Sequence, residues 1–352
     1  MSVYEKRLKA DKDHILARLK AVSEVIDSNL KSAHESFAAL DHELASETIL
    51  RDHPVNRAIR DLDHDCHAFV ARHLPGAKHL RFISSALRLN IELERIGDYA
   101  ASVGRETVQL GQLPGTEILG QIDSLASDSR ELLRKAVEAF TSDSVELANQ
   151  VIQEAKRLES RFTESFQSLT REEKVQPLSA SDLTAVLVVL TRFSRVRAQA
   201  KNVAEETIFV VTGQPFASKR YQILFVDLEG HSLAPLAAAY ASKVFPESGE
   251  YTAAALSPSE TIKNIIISTA SKNGLSLAGF QSLALQDIDD LSKYSVIVAL
   301  EKGVRGKLLP LPFHSLLLRR QQDPSQHPDE LLRGIADLVS TLMTTLSGNK
   351  AG

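Results

Sequence analysis

Two pairs of oxygen-bearing side chains have a spacing that suits metal binding on helices. Glu94 and Asp98 are four residues apart in a helically periodic stretch, and Asp52 and Asn56 share that spacing in the stretch before it. Side chains four residues apart lie on one helix face. If the two helices pack side by side, the four side chains converge, as in the carboxylate metal sites of helical bundles. The pattern predicts a metal site, and the plain alternative is a solvated acidic face.

The residue types also indicate which metals would suit this site. Carboxylate and amide oxygens favour hard cations such as Mg²⁺ or Mn²⁺, and iron is compatible with them. Gly97 lies inside the same periodic stretch, where glycine costs about 1 kcal/mol relative to alanine. A glycine at this position therefore indicates the close approach of another helix or of a ligand.

The elements that would position these residues are long helices up to about residue 213. Breaks at 74–76 and 111–115 divide the apolar periodicity, and Pro54 is expected to bend or interrupt its helix. The layout then repeats, with its own break at 175–177. The sequence therefore predicts two copies of a three-helix unit, each about 100 residues long.

After a linker at 213–219, the period changes to short apolar runs that alternate with helical patterns. The runs lie at 223–226, 296–300 and 316–318, and helical patterns separate them at about 258–273 and 329–346. This alternation is typical of a parallel sheet covered by helices. We predict a multidomain α plus α/β protein, with three-helix bundles at 1–112 and 117–213 and a small parallel-sheet α/β domain at 220–352.

Composition excludes several classes of protein. Lys and Arg number 41 against 45 Asp and Glu, a net charge of −4, which argues against a strongly basic nucleic-acid binder. Cys66 is the only cysteine, so no internal disulfide can form, and we interpret it as a small buried residue. There is no signal-peptide pattern and no run approaching the roughly 20 apolar residues of a membrane span. We expect a cytoplasmic protein without direct membrane insertion.

Motifs in the first unit resemble those of the PhoU family of phosphate-signalling proteins. They are Leu44-Ala45, Asp52-x-x-Val55-Asn56, Leu80-Arg81 and the run Leu93-Glu94-Arg95-Ile96-Gly97-Asp98-Tyr99-Ala100. The resemblance covers roughly residues 1–213 and implies two similar three-helix bundles. It also implies a metal ion or cluster (Fe, Zn, Mg or Mn) in the first bundle, with Asp52, Asn56, Glu94 and Asp98 at the motif positions.

The second unit departs from this pattern. Ser194 and Ala198 stand where the two acids of the third helix should be, and Ala155 stands at the position of Asp52. The nearby cations Arg195, Arg197 and Lys201 replace an acidic face with a basic one. We therefore expect no metal here. We interpret the basic stretch as a solvated face, with a surface for an acidic partner as the alternative.

The C-terminal part resembles low-molecular-weight tyrosine phosphatases and arsenate reductases, without their chemistry. That family carries Cys-x5-Arg after its first strand, whereas this chain has Asp227 and Leu233 at those positions. The family's Asp-Pro is present at residues 323–324. Because nucleophile and guanidinium are both missing, we expect no catalysis. A rival resemblance, to aspartate-nucleophile phosphatases, fails at Glu229 and His231 and shows no evident lysine partner.

Together these features favour a non-enzymatic regulator of phosphate uptake and phosphate-starvation signalling. The PhoU resemblance implies contacts with the ATPase of a phosphate ABC transporter and with a sensor histidine kinase, and it allows a homodimer. Any association with the membrane would then be peripheral, through those partners. The alternative is a phosphatase tethered to a PhoU-like regulatory bundle, and the loop between Asp227 and Leu233 favours the regulator.

Overall fold

The computed structural model describes residues 2–170, 178–214, 220–259, 261–308, 311 and 315–347. The chain divides into a helical unit, Met1–Phe216, and a C-terminal unit, Ala217–Gly352. The helix break predicted at 175–177 and most of the linker predicted at 213–219 lie outside the described residues.

The helical unit consists of long helices in two successive sets, as predicted. The first set is α1 (Val3–Ala39), α2 (His42–Leu50), α3 (Asp52–His73) and α4 (Ala77–Gln109). The second set is α5 (Thr116–Thr141), α6 (Val145–Thr170) and α7 (Ala180–Thr212). The two sets are three-helix bundles, and in the first the middle helix is divided into α2 and α3.

The chain breaks around α2 lie at positions other than Pro54. Helix α1 ends because Leu40 takes a left-handed conformation with φ 54°, and Asp41 then caps α2 by accepting the N–H groups of Glu43 and Leu44 at 3.0 and 2.9 Å. The second break is at Arg51. Pro54 lies in the first turn of α3, where a missing N–H costs no helical hydrogen bond. The predicted interruption is present, but it lies at Arg51, three residues before Pro54.

One apolar core serves both halves of the helical unit. Side chains of α4 and α7, such as Leu93 and Phe193, are fully buried in a single cluster that includes residues of both bundles. The predicted boundary between residues 112 and 117 stays a prediction. Over the residues that are described, no helix is both long enough and apolar enough to cross a bilayer.

The C-terminal unit contains an all-parallel sheet, as predicted. Its strands are β1 (Tyr221–Asp227), β2 (Gly249–Ala255), β3 (Leu283–Ala284), β4 (Val296–Ala299) and β5 (Leu316–Arg319), in the order β3-β2-β1-β4-β5. The helices are α8 (Leu233–Val244), α9 (Asn264–Lys272), α10 (Val304–Lys307) and α11 (Pro328–Ser347). Ligands of such sheets bind beyond the carboxyl ends of the strands, where the strand order reverses. Here that point is the end of β1, beside β4.

Helix α9 is shorter than the helical pattern at 258–273 predicts. The preceding residues instead bind the loop between β1 and α8 (residues 228–232), which we call the β1–α8 loop. The N–H groups of Ser257 and Ser259 donate to the carbonyl groups of Leu228 and Glu229 at 2.9 and 2.8 Å. These bonds pair residues 257 and 259 with the β1–α8 loop, and α9 begins only at Asn264.

Candidate functional sites

The predicted acidic site lies where α3 packs against α4. A Cβ atom placed on Gly97 would lie 3.3 Å from Cγ1 of Val55 and 3.5 Å from Oδ1 of Asp52. The glycine therefore lets the first turn of α3 approach the backbone of α4, as its place in the sequence indicated. This contact brings Asp52 next to the helix that carries Glu94 and Asp98.

Asp52 and Asn56 form one half of the site. Nδ2 of Asn56 donates to Oδ2 of Asp52 at 2.7 Å, and Asp52 is buried. The other oxygens of the pair, Oδ1 of Asp52 and Oδ1 of Asn56, are buried and have no hydrogen-bond partner. Buried oxygens normally have partners because leaving one unsatisfied costs about 1–3 kcal/mol. Two orphaned oxygens on adjacent turns of one helix are therefore suited to a cation.

Asp98 lies within electrostatic range of this pair. The pKa of Asp98 is raised, chiefly because its exposed carboxyl group is still partly desolvated and then by the negative charge of Asp52, while Arg105 opposes the shift. Glu94 is exposed, one turn earlier on α4. Among the described residues, no three His, Cys, Asp or Glu side chains are grouped closely enough to hold a metal. The structure places Asp52 and Asn56 in contact and Asp98 within electrostatic range of Asp52, and it leaves Glu94 exposed.

The corresponding place in the second bundle is filled by an arginine. Arg197 is buried, and its Nη1 donates to the carbonyl group of Ala155 at 3.0 Å and lies 3.6 Å from Oε2 of Glu159. Burial lowers the pKa of Arg197, and the charge of Glu159 opposes this. The solvated basic face predicted here is wrong for Arg197, whose guanidinium occupies the helix interface, whereas Arg195 is exposed.

In the C-terminal unit, the carboxylate of Asp227 binds backbone N–H groups of the β1–α8 loop and of the first turn of α8. Asp227 ends β1 and is 1% exposed. Its Oδ1 accepts the N–H of Gly230 at 2.7 Å and its Oδ2 accepts the N–H of Ala234, in the first turn of α8, at 2.9 Å. Loop and helix-start amides of this kind can cradle a phosphate. Here an internal carboxylate already takes two of them.

Burial dominates the acidity of Asp227. It raises the pKa of the carboxyl group from 3.8 to about 6, against the lowering effect of the amides of Ala234 and Gly230, and the charge of Glu301 raises it further. At neutral pH the group is therefore mainly ionised. Leu233, at the position of the family's arginine, is fully buried, and its side chain offers no donor for an anion.

A cavity of about 230 Å³ lies above this loop. It is lined by Asp227, Leu228, Glu229, His231, Ser232, Lys263, Glu301, Pro324 and Ser325. Oε2 of Glu301 accepts the N–H of Leu228 at 2.7 Å, so a second loop amide is bound by a carboxylate. Nδ1 of His231 is 3.1 Å from Oε2 of Glu229.

The Asp-Pro dipeptide forms a turn at the edge of this region. Oδ1 of Asp323 accepts the N–H and the Oγ–H of Ser325 at 2.9 and 2.7 Å, and these two bonds lower the pKa of Asp323. The carboxylate is thus ionised and held in a turn, which is unlike the protonated group that a general acid requires.

Three residues near the candidate sites had no sequence signal that we recognised. Lys263 and Glu301 line the cavity with Asp227, although they follow different strands. The position of Glu301 just after the apolar run at 296–300 could have marked it. The burial of Arg197 had no such marker. Cys66, in contrast, is fully buried as predicted, and burial raises the pKa of its thiol to about 12.

Comparison with known proteins identifies the helical unit. The PhoU domain model matches residues 19–107 and 122–207. A phosphate-specific transport system accessory protein PhoU homolog from Pseudomonas putida is 25% identical over 228 residues, 64% of this chain and 88% of that protein. A Thermotoga maritima homolog is 26% identical over 219 residues, 60% of this chain and 90% of that protein.

Solved structures agree with these matches. The crystal structure of PhoU from Pseudomonas aeruginosa is similar at a TM-score of 0.54 and 25% identity, over 58% of this chain and 99% of that one. The tyrosine phosphatase Wzb from Escherichia coli K30 has a TM-score of 0.32 and 14% identity, over 36% of this chain and 99% of that one. A similarity this low says nothing about chemistry. With a PhoU domain match in each of its halves, the helical unit of this chain belongs to the PhoU family.

Proposed function

We propose that this chain regulates phosphate uptake and phosphate-starvation signalling through protein–protein contacts. The observation that carries the proposal is the PhoU domain match in both bundles, together with relatives named as accessory proteins of phosphate-specific transport. The proposed partners are the ATPase of a phosphate ABC transporter and a sensor histidine kinase, which would hold a cytoplasmic protein at the membrane. Phosphate uptake in a strain that lacks the gene tests this role.

A metal ion bound at the contact of α3 with α4 is the second part of the proposal. Asp52, Asn56 and Asp98 would hold it, with Glu94 at the edge of the site. The two orphaned oxygens of Asp52 and Asn56 support this assignment, as does the raised pKa of Asp98. A bound cation would supply the positive charge that these oxygens lack. In the second bundle, the guanidinium of Arg197 supplies a positive charge from within the chain.

The double variant Glu94→Ala, Asp98→Ala tests the metal site. Both side chains are exposed, so we expect helicity by circular dichroism to stay unchanged while the metal content by plasma mass spectrometry falls to background. Glu24→Gln, an exposed acid of α1, is the matched control and should retain the metal. Wild-type protein that contains no metal after gentle purification, and takes up none, would show the assignment to be wrong.

We also propose that the C-terminal unit does not turn over phosphate esters. Both oxygens of Asp227 accept backbone N–H groups, and the side chain of Leu233 offers no donor to hold a phosphate. The presence of Lys263 in the same cavity is the one feature that favours the aspartate-nucleophile alternative. The full chain is expected to hydrolyse an aryl phosphate no faster than buffer. Turnover that is abolished by Asp227→Ala would support the alternative and overturn the proposal that this unit is catalytically inactive.

A further inference from the structure

A cavity of about 200 Å³ lies in the helical unit, away from the acidic site. It is lined by Lys12 of α1, by Lys78, His79 and Phe82 of α4, by Asp143 between α5 and α6, and by Val210 and Val211 of α7. Three of these seven side chains are basic and one is acidic. The cavity is thus a cationic site with an apolar wall.

The two lysines differ in their partners. Nζ of Lys12 lies 3.5 Å from Oδ2 of Asp143 and 4.8 Å from the ring centroid of Phe82, so its position is fixed from two sides. Lys78 is exposed and forms no ion pair within 4.0 Å with any residue that the structure describes. Its charge remains available to an anion that enters the cavity.

The start of α4 adds further donors beside these lysines. Helix α4 begins at Ala77, and its N-cap residue Gly76 provides no side-chain hydrogen bond. The first N–H groups of a helix have no partner within the helix. Lys78 and His79 belong to this first turn, so backbone N–H groups and two basic side chains are concentrated at one edge of the cavity.

The pKa of His79 responds first to burial and then to the surrounding positive charge. Its pKa is lowered by burial and then by the charges of Lys12, Lys78 and His73. His73 itself lies 2.8 Å from Oδ2 of Asp11. The positive charges around His79 come from Lys12 on α1, His73 on α3 and Lys78 on α4. The turn between α5 and α6 contributes the one negative charge, Asp143, and α7 lines the cavity only with valines. An entering anion would relieve this repulsion.

We propose that this cavity binds a phosphate group, either as inorganic phosphate or as a phosphomonoester. Lys12, Lys78 and a protonated His79 would contact its oxygens, because charge-assisted hydrogen bonds from cations are the strongest contacts for phosphate. Phe82 and the two valines would face the apolar part of an ester. This site does not depend on the proposed regulatory role, since binding is a property of the purified chain.

A histidine titration by NMR on the full chain tests the site. His79 is assigned with His79→Gln, and its pKa is measured with and without inorganic phosphate. We expect saturating phosphate to raise the pKa of His79 by about 1 pH unit or more, because an opposite charge in contact with a group favours its charged form. Phenyl phosphate is the second probe, and it separates an ester from the free anion.

Isothermal titration calorimetry of matched variants with each phosphate probe completes the test. Lys78→Gln should weaken binding about tenfold, the loss of one charge-assisted contact. Lys20→Gln removes an exposed lysine elsewhere on α1 and should bind as wild type does. Binding of either probe with this pattern supports the site. An unchanged pKa of His79 with no heat from either probe overturns it, and so does equal affinity of Lys78→Gln and wild type.

Discussion

Between about pH 4 and pH 7, the C-terminal unit of the wild-type chain is expected to lose about 2 kcal/mol of stability that an Asp227→Asn variant does not lose. The folded unit raises the pKa of Asp227 from its ordinary value of 3.8 to about 6. The folded state therefore binds a proton that the unfolded chain has released. This contribution to stability is fully present below about pH 4 and disappears as the pH rises through about 6.

Amide hydrogen exchange on the full chain measures this effect locally. Peptides from β1 and α8 report on the C-terminal unit, and peptides from α4 serve as the internal reference at each pH. Taking the difference between wild type and Asp227→Asn cancels the contributions of other carboxyl groups. Glu229→Gln removes an exposed charge from the same loop and should keep the wild-type pH dependence. Equal slopes for wild type and Asp227→Asn would show that the carboxylate is not held in the loop as described.

Local patterns predicted most of the helical unit from the sequence. Apolar periodicity identified the long helices, and Gly97 correctly indicated a close approach, because a glycine inside a helix is costly unless something needs the space. The break expected at Pro54 lies three residues earlier, at Arg51, because a proline is tolerated in the first turn of a helix. Helix α3 follows Arg51 without a side-chain cap, so the sequence did not mark where this helix begins.

The hydrogen bonds and burial of the charged residues could not be predicted from the sequence, because they depend on segments that are distant in the chain. The sequence showed that Asp227 replaces a nucleophile, but only the fold shows its oxygens accepting amides of its own loop. Glu301 binds that loop from 73 residues away in the chain. Arg197 was misread as surface because an arginine is almost never fully buried unless it is paired, and its partners lie about 40 residues away in the chain. The carbonyl group of Ala155 accepts its hydrogen bond, and Glu159 lies 3.6 Å from its guanidinium.

Loss of the gene is expected to raise phosphate uptake and the expression of phosphate-starvation genes in phosphate-rich medium. A regulator that acts by contact restrains its partners only while it is bound, so its removal would leave the proposed transporter and kinase partners unrestrained. The absence of turnover proposed for the C-terminal unit means that no enzymatic product has to be replaced. Complementation with the full chain should therefore restore the low uptake and expression.

The most direct test is the initial rate of labelled phosphate uptake in phosphate-replete cells. It compares wild type, a deletion strain without a second PhoU-family gene, and that strain complemented with the full chain. Starvation-gene expression is followed in the same cultures. The proposed function predicts elevated uptake and expression in the deletion strain and wild-type values after complementation. Uptake and expression that remain unchanged on deletion would contradict it.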